Sequence, residues 1–265
     1  MADSADLVHR GHHALALAFQ EISRRSDTGN VLVDDDVAVY ATGHPEAEFY
    51  NGVLRLNADS DPEQLIRRAD AYFTSRSNGY TVWALLGRDE DLAVAAMASG
   101  LEPGAEMPEM ICKQVPTQTS TPANIELTIA SSDIALRDSN TVMAEAFATI
   151  GVPPDAWNSV WPNIQSIADR QTRTVIAYEA GVPVAGAMVI VVGGVGEVLN
   201  VGTIPSARRR GLGRLVTHRV TSLAFDLGAD FASLQSTPFG ISVYESLGYE
   251  AVGYYRWYLR RWPPS

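Results

Sequence analysis

Apolar residues in the second half of the chain follow two rhythms. Leu212, Leu215, Val216, Val220, Leu223, Ala224 and Leu227 recur at spacings of three and four, which marks one face of an amphipathic helix. Gly228 stands where a left-handed cap belongs. Just ahead of this helix lies an extended apolar run, residues 196–203, then Pro205 and a loop of arginines and glycines. Around this unit the pattern predicts strands over 125–130, 174–179, 184–192, 231–236 and 251–260. Helices are expected over 139–149, 154–169 (interrupted by Pro162) and 240–247. In the first half the same reading gives helices over 5–24, 62–75 and 91–99. Strands are expected near 31–33, 37–41, 52–56, 81–86 and 107–112.

Strand, Arg/Gly loop and helix, in that order, build an anion site. Glycine lets the backbone approach a phosphate, and a helix N-terminus offers unpaired N–H groups and a positive dipole end. Arg208, Arg209, Arg210 and Arg214 add fixed charge. A pyrophosphate is the natural guest. The dinucleotide fingerprint is a poor match, because Gly211 and Gly213 lack the third glycine and the acidic residue it requires.

Bulk properties narrow the class. The 265 residues suit one large domain or two small ones. No apolar run reaches the length of a membrane span, the longest being near 184–192. The start of the chain, Met1 to Asp6, is acidic and polar, unlike a secretory leader. Cys112 is the only cysteine, which excludes an internal disulfide and a thiolate metal cluster. A cytoplasmic location, with no membrane contact, is the resulting expectation. The net charge of −11 argues against nucleic-acid binding.

Residues 115–123, rich in Pro, Thr, Gln and Ser, read as a linker between halves 1–114 and 124–265. A shift of 148 positions lays Trp83 and Gly100-Leu101-Glu102 on Phe231 and Gly248-Tyr249-Glu250, and Ala96 on Tyr244. The halves therefore read as a tandem, with chance similarity of two αβ units as the alternative. The first half has no Arg/Gly loop.

Arg208-x-x-Gly211-x-Gly213, with Val201 and Pro205 before it, resembles the acyl-CoA-binding signature of the GNAT superfamily of N-acyltransferases. The run Ser242 to Glu250, with Tyr244 and Gly248-Tyr249, resembles that family's second signature. The resemblance covers roughly residues 124 to 262. It implies an α/β fold with a mixed sheet and a catalytic domain over 124–265; with the 148-position shift, the chain reads as two GNAT-like halves, the first degenerate. The implied activity is N-acetyl transfer from acetyl-CoA to an amine, by direct attack in a ternary complex and without a metal.

The resemblance makes Tyr244 the acid that protonates the leaving thiolate. Read as residues alone, it is a core tyrosine. Glu197 is the candidate base; some family members carry a glutamate eleven residues before the first loop arginine. Period-two alternation puts Glu197, Leu199 and Val201 on one face and Asn200 on the other. The backbone of Val201, Gly202 and Thr203 is expected beside the pantetheine arm. Arg208, Arg209, Arg210, Gly211, Leu212 and Gly213 are expected around the pyrophosphate, mainly through N–H groups. Arg214 reaches the ribose phosphate or faces solvent. The family's usual asparagine after the preceding strand is missing, and Ser236 is the substitute.

His9 and His13 have i,i+4 spacing but no third ligand in view, so an ordinary helix face is expected. Trp157 and Trp161 lie where acceptor-binding helices would be, or simply join the core. The aromatics from Tyr254 to Trp262 fit packing between halves or against a second subunit in a homodimer. The rival readings are an acyl-CoA sensor without turnover and a nucleic-acid binder using Arg208, Arg209 and Arg210. The acceptor amine and acyl length stay open.

Overall fold

A computed structural model describes residues 4–33, 36–45, 50–117 and 120–262. Met1 to Asp3 at the acidic start, and Gln118 and Thr119 in the expected linker, lie outside the described residues. The first half runs α1 (Ser4–Arg25), β1 (Asn30–Val33), β2 (Val37–Ala41), β3 (Asn51–Arg55), α2 (Pro62–Thr74), β4 (Tyr80–Leu85), α3 (Glu90–Ala98) and β5 (Glu102–Cys112). The second runs β6 (Ile125–Ile129), α4 (Asp133–Ala148), α5 (Ala156–Val160), α6 (Ile164–Ile167), β7 (Thr172–Glu179), β8 (Val182–Val192) and β9 (Val195–Thr203). It ends with α7 (Leu212–Asp226), β10 (Phe231–Gln235), α8 (Ile241–Glu245) and β11 (Glu250–Arg260).

All strands join one sheet in the order β1-β2-β3-β4-β11-β5-β10-β9-β8-β7-β6. The order is nearly palindromic about the central antiparallel pair β5/β11. Two parallel pairs, β3/β4 and β9/β10, flank it symmetrically. Each half places its last strand among those of the other: β11 pairs with β4, and β5 with β10. The segment 115–123 therefore divides the chain without dividing the sheet. Shifted by 148 positions, the bounds of β5 coincide with those of β11.

Alternation along the strands feeds two layers. Ala38, Tyr40, Leu54, Trp83 and Leu85 join the main core, which includes α1 residues such as Leu15 and Phe19. Val37, Val39, Val53, Val82 and Ala84 form a second core with Leu65, Phe73 and Leu92 of α2 and α3.

Three sequence boundaries shift for identifiable reasons. The helix expected over 154–169 is two short helices, because Trp161 leaves the helical region (φ −123°, ψ 72°) before Pro162. Helix α4 starts earlier than 139, where Ser132 caps it by accepting from the Ala135 N–H. Strand β5 starts at Glu102, and its first five residues are exposed, so they carry no apolar signal.

Candidate active site

Strands β9 and β10 pair only from Val195–Phe231 to Glu197–Ser233 and then part. Beyond Glu197 the β9 edge that faces β10 has no strand partner, so its N–H and C=O groups border a wedge. A bulge deepens the break. Gly186 pairs with Gly202 and Met188 with Leu199, so β9 carries an extra residue there. Asn200 takes a left-handed conformation at φ 52°, one that asparagine tolerates better than most residues.

The bulge corrects the alternation read from the sequence. A Cβ on Gly196 would meet Ala224 of α7, whereas one on Gly202 would meet Met143 and Ala146 of α4. In a regular strand these two positions would share a face. Glu197 and Leu199 therefore lie on the α1/α4 face together with Gly202, and Val201 turns away. Asn200, expected opposite Glu197, accepts a hydrogen bond from Tyr50 Oη (2.5 Å) beside Trp157 on the α1/α4 side.

At the outer end of the wedge lies a cleft of about 600 Å³, bordered by Thr203, Arg208, Arg209, Gly211, Leu212, Gly213 and Arg214. Gly211, at φ 78°, opens α7, and no side chain caps that terminus. A Cβ on Gly211 would meet nothing within 4 Å. An uncapped first turn, a left-handed glycine and a left-handed Arg209 (φ 61°) form an open cradle of backbone donors that fits a pyrophosphate. Most of the arginine side chains are engaged elsewhere. Arg208 donates to Ala146 O (3.0 Å), Thr149 Oγ1 (2.9 Å) and Thr203 O (3.2 Å), tying the loop to α4. Arg210 pairs with Glu179 (2.9 Å), and Arg214 Nε donates to Ser246 Oγ (3.1 Å).

The corresponding end of the first half is closed. Asp61 caps α2 by accepting from the N–H groups of Glu63 (2.9 Å) and Gln64 (3.2 Å). Past the β3/β4 pairing, buried Arg55 donates to Asp89 (3.1 Å), which accepts from the Leu85 N–H (3.0 Å). This ion cluster bridges the two strand ends where β9 and β10 stay apart.

At the inner end of the wedge is a second cavity, of about 130 Å³. Val198, Leu199, Asn200, Val201, Leu234, Gln235 and Tyr244 line its sheet side. Phe147, Ile150 and Trp157 come from α4 and the segment after it, and Phe19, Tyr50, Trp83 and Met107 from the first half. The two cavities share Phe147, Ile150 and Thr237. Tyr244 is 8 % exposed, and its hydroxyl has no protein partner among the described residues. Burial pushes its phenol above the usual tyrosine value, so it is protonated at neutral pH.

Glu197 does not line the inner cavity. It is fully buried, and neither carboxyl oxygen makes a well-formed hydrogen bond among the described residues. Its cross-strand neighbour Ser233 donates to Glu109 Oε1 (2.9 Å), beneath Gly11 of α1. Gln235, which lines the cavity, donates to Glu109 Oε2 (3.3 Å). Burial raises the pKa of both carboxyls, and for Glu197 the charge of Glu109 adds to it. Hydrogen bonds from Ser233 and Gln235 partly offset the rise at Glu109.

Behind Glu109 the bonding order is fixed. His12 Nε2 lies 2.8 Å from the Arg55 carbonyl, so it must carry the proton. Nδ1 then accepts from Tyr255 Oη at 2.8 Å. Burial lowers His12 to about 3, so it is neutral.

Other sequence candidates fall as follows. Ser236 is buried, donates to Thr237 O (2.7 Å) and borders neither cavity; Thr237 borders both. Trp157 lines the inner cavity, whereas Trp161 does not, and both are buried. Trp257 packs on Trp83 at the junction of the halves. Sequence reasoning missed Glu109, although a carboxylate among Met107, Met110 and Ile111 is the same signal that singled out Glu197. The first-half wall of the cavity carries no such signal.

Among the described residues, no helix is long and apolar enough to cross a membrane, and no group of three or more His, Cys, Asp or Glu side chains could hold a metal ion. Residues 142–249 match the model of the acetyltransferase (GNAT) family. No curated protein matches the chain. The GCN5-related N-acetyltransferase from Kribbella flavida aligns over 95% of both chains, with 21% identity and a TM-score of 0.71. The GCN5-related N-acetyltransferase from Sphaerobacter thermophilus aligns over 88% of this chain and 84% of its own, with 14% identity and a TM-score of 0.62. A GCN5-related N-acetyltransferase-like protein from Streptococcus suis covers 95% of this chain and 98% of its own, with 14% identity and a TM-score of 0.58. These likenesses are of fold and extend over both halves.

Proposed function

Taking as premise that residues 142–249 form a domain of the GNAT acetyltransferase family, we propose that the protein is an acyl-CoA-dependent N-acyltransferase. It moves an acetyl group from acetyl-CoA to an amine by direct attack in a ternary complex. One observation carries this reading: the β9/β10 wedge joins a cleft at the uncapped start of α7 to a cavity lined by Tyr244.

The N–H groups of residues 209–214 hold the diphosphate, with Arg209 and Arg214 nearest to add charge. The bordering edge of Val201, Gly202 and Thr203 pairs with the amides of the pantetheine arm, as it would with a strand. The Val201 N–H polarises the thioester carbonyl. Acetyl-CoA supplies an activated acyl group and a thiolate that leaves.

The new bond is N–C and the broken bond is C–S. Tyr244 donates its proton to the departing sulfur, giving free thiol, and is reprotonated from solvent. The acceptor, charged in solution, loses one proton to become the free amine and gives up a second as it attacks. Glu197 is the proposed acceptor, and Gln235 and Ser233 stand between it and the cavity, so the proton crosses by water.

A second reading, acyl-CoA binding without turnover, draws on the fact that no charged side chain borders the inner cavity. One assay separates the two: release of free thiol from acetyl-CoA across a panel of amines. Turnover supports the enzyme. Tight binding of acetyl-CoA with no turnover on any amine supports the sensor and overturns the first reading.

A further inference from the structure

We propose that the acceptor is a compact primary amine with one positive charge, no carboxylate, and an apolar body of about one aromatic ring. This rests on the acyltransferase reading and specifies the substrate class of that site.

Size comes first. The inner cavity of about 130 Å³ is close to the roughly 150 Å³ of an engineered cavity that stays dry and takes up benzene. Its walls are set. Phe19 is 5 % exposed, Trp83 3 %, Trp157 1 % and Leu234 1 %. Growth of the pocket would mean repacking both halves of the molecule. Ile150, 41 % exposed, stands at the mouth and also borders the outer cleft.

Chemistry comes second. The lining includes seven aromatic side chains and no charged one. Ring faces attract a single ammonium group, whereas a second charge buried here would lack a partner and be disfavoured strongly. Polyamines, aminoglycosides and amino acids with a free carboxylate are thereby disfavoured. A lysine on a folded protein is disfavoured by access, since Phe19, Trp83 and Met107 of the first half wall off the far side. The hydroxyl of Tyr50 is already committed to Asn200 (2.5 Å). The degenerate half thus acquires a role: it supplies the wall that selects the acceptor.

The experiment measures kcat/KM by thiol release with benzylamine, phenethylamine, cyclohexylamine, spermidine, kanamycin, free amino acids and a lysyl peptide. Each is run with acetyl-CoA and with hexanoyl-CoA, and acetyl-CoA binding is followed by calorimetry. The expected result is a preference of at least about tenfold for the one-ring amines. Phe19→Leu, which widens the cavity, is expected to leave acetyl-CoA affinity unchanged. It should shift the ratio of kcat/KM for a two-ring amine over benzylamine upward by about tenfold, within the range set by one or two methylenes in an apolar pocket. The proposal is overturned if a polycation, an amino acid or the peptide is the best acceptor. It is equally overturned if Phe19→Leu alters acyl-chain preference instead of amine preference, for then the cavity holds the acyl group. If acetyl-CoA does not bind at all, the acyltransferase reading fails and takes this inference with it.

Discussion

Burial acts in the same direction on Tyr244 and Glu197 but with opposite consequences for their roles. A phenol kept protonated is ready to donate; a carboxyl kept protonated is not ready to accept until a positive charge arrives. Tyr244→Phe is expected to lower kcat by about 10² to 10⁴, the usual worth of a positioned acid. Because its hydroxyl has no protein partner among the described residues, the melting temperature and acetyl-CoA affinity should barely move. A loss of stability above about 0.5 kcal/mol would instead mark a structural tyrosine.

The buried carboxyls also predict how stability follows pH. An unfolded glutamate ionises near 4.3, whereas in the folded chain burial raises Glu109 and Glu197 alike. A raised carboxyl favours the fold at low pH, and that contribution is lost as pH climbs from the unfolded value through the folded one. Glu197→Gln should therefore flatten the decline of melting temperature from about pH 5 upward. His12 works from the other side. Its pKa is depressed to about 3, so its neutral burial is harmless above about 6.5 and destabilises the fold as pH falls below that. His12→Gln should flatten the acid limb; an unchanged acid limb would count against a neutral His12 in the fold.

At the scale of elements, what separates the halves is how a helix begins. Asp61 satisfies the first turn of α2, while Gly211 leaves that of α7 open. Gly211→Ala adds a Cβ that meets nothing within 4 Å, so its effect is conformational. A left-handed alanine costs about 1–2 kcal/mol. Relief of that strain would turn the loop, and acetyl-CoA affinity should fall about tenfold with little change in the far-ultraviolet circular dichroism. An unchanged dissociation constant would show that the cradle is not where the nucleotide sits. Asn200 is a second such point, since without its bulge the wedge edge would present different backbone groups.

The whole molecule is held together by exchanged strands. β11 lies between β4 and β5, and its buried Tyr255, Trp257 and Tyr258 pack at the junction of the halves. A fragment spanning residues 124–265 would lack both strand neighbours of β11 and expose these rings, leaving an open apolar edge. We expect it to be aggregated or unfolded in gel filtration, and co-expression with residues 1–114 to restore a soluble complex. A monomeric, folded 124–265 fragment would show that the exchange is dispensable.

Much of this was legible in the chain. Spacings of three and four drew α7, and left-handed glycine with arginine drew the loop. The shift of 148 positions anticipated the coincidence of β5 and β11, because local periodicity and turn chemistry are properties of neighbouring residues. Other features were decided only by the tertiary structure. The bulge at Asn200 reversed the face assigned to Val201, since one extra residue breaks a period of two. Ser236 turned inward and Thr237 took its place at the cavities. Pairing between strands far apart in the chain brought Glu109 near Glu197, and the packing of α1 and the first-half strands put Phe19, Tyr50 and Trp83 around the same cavity as Tyr244. Sequence fixes which residues can form an element; which elements then stand side by side is set by the packing of the whole sheet.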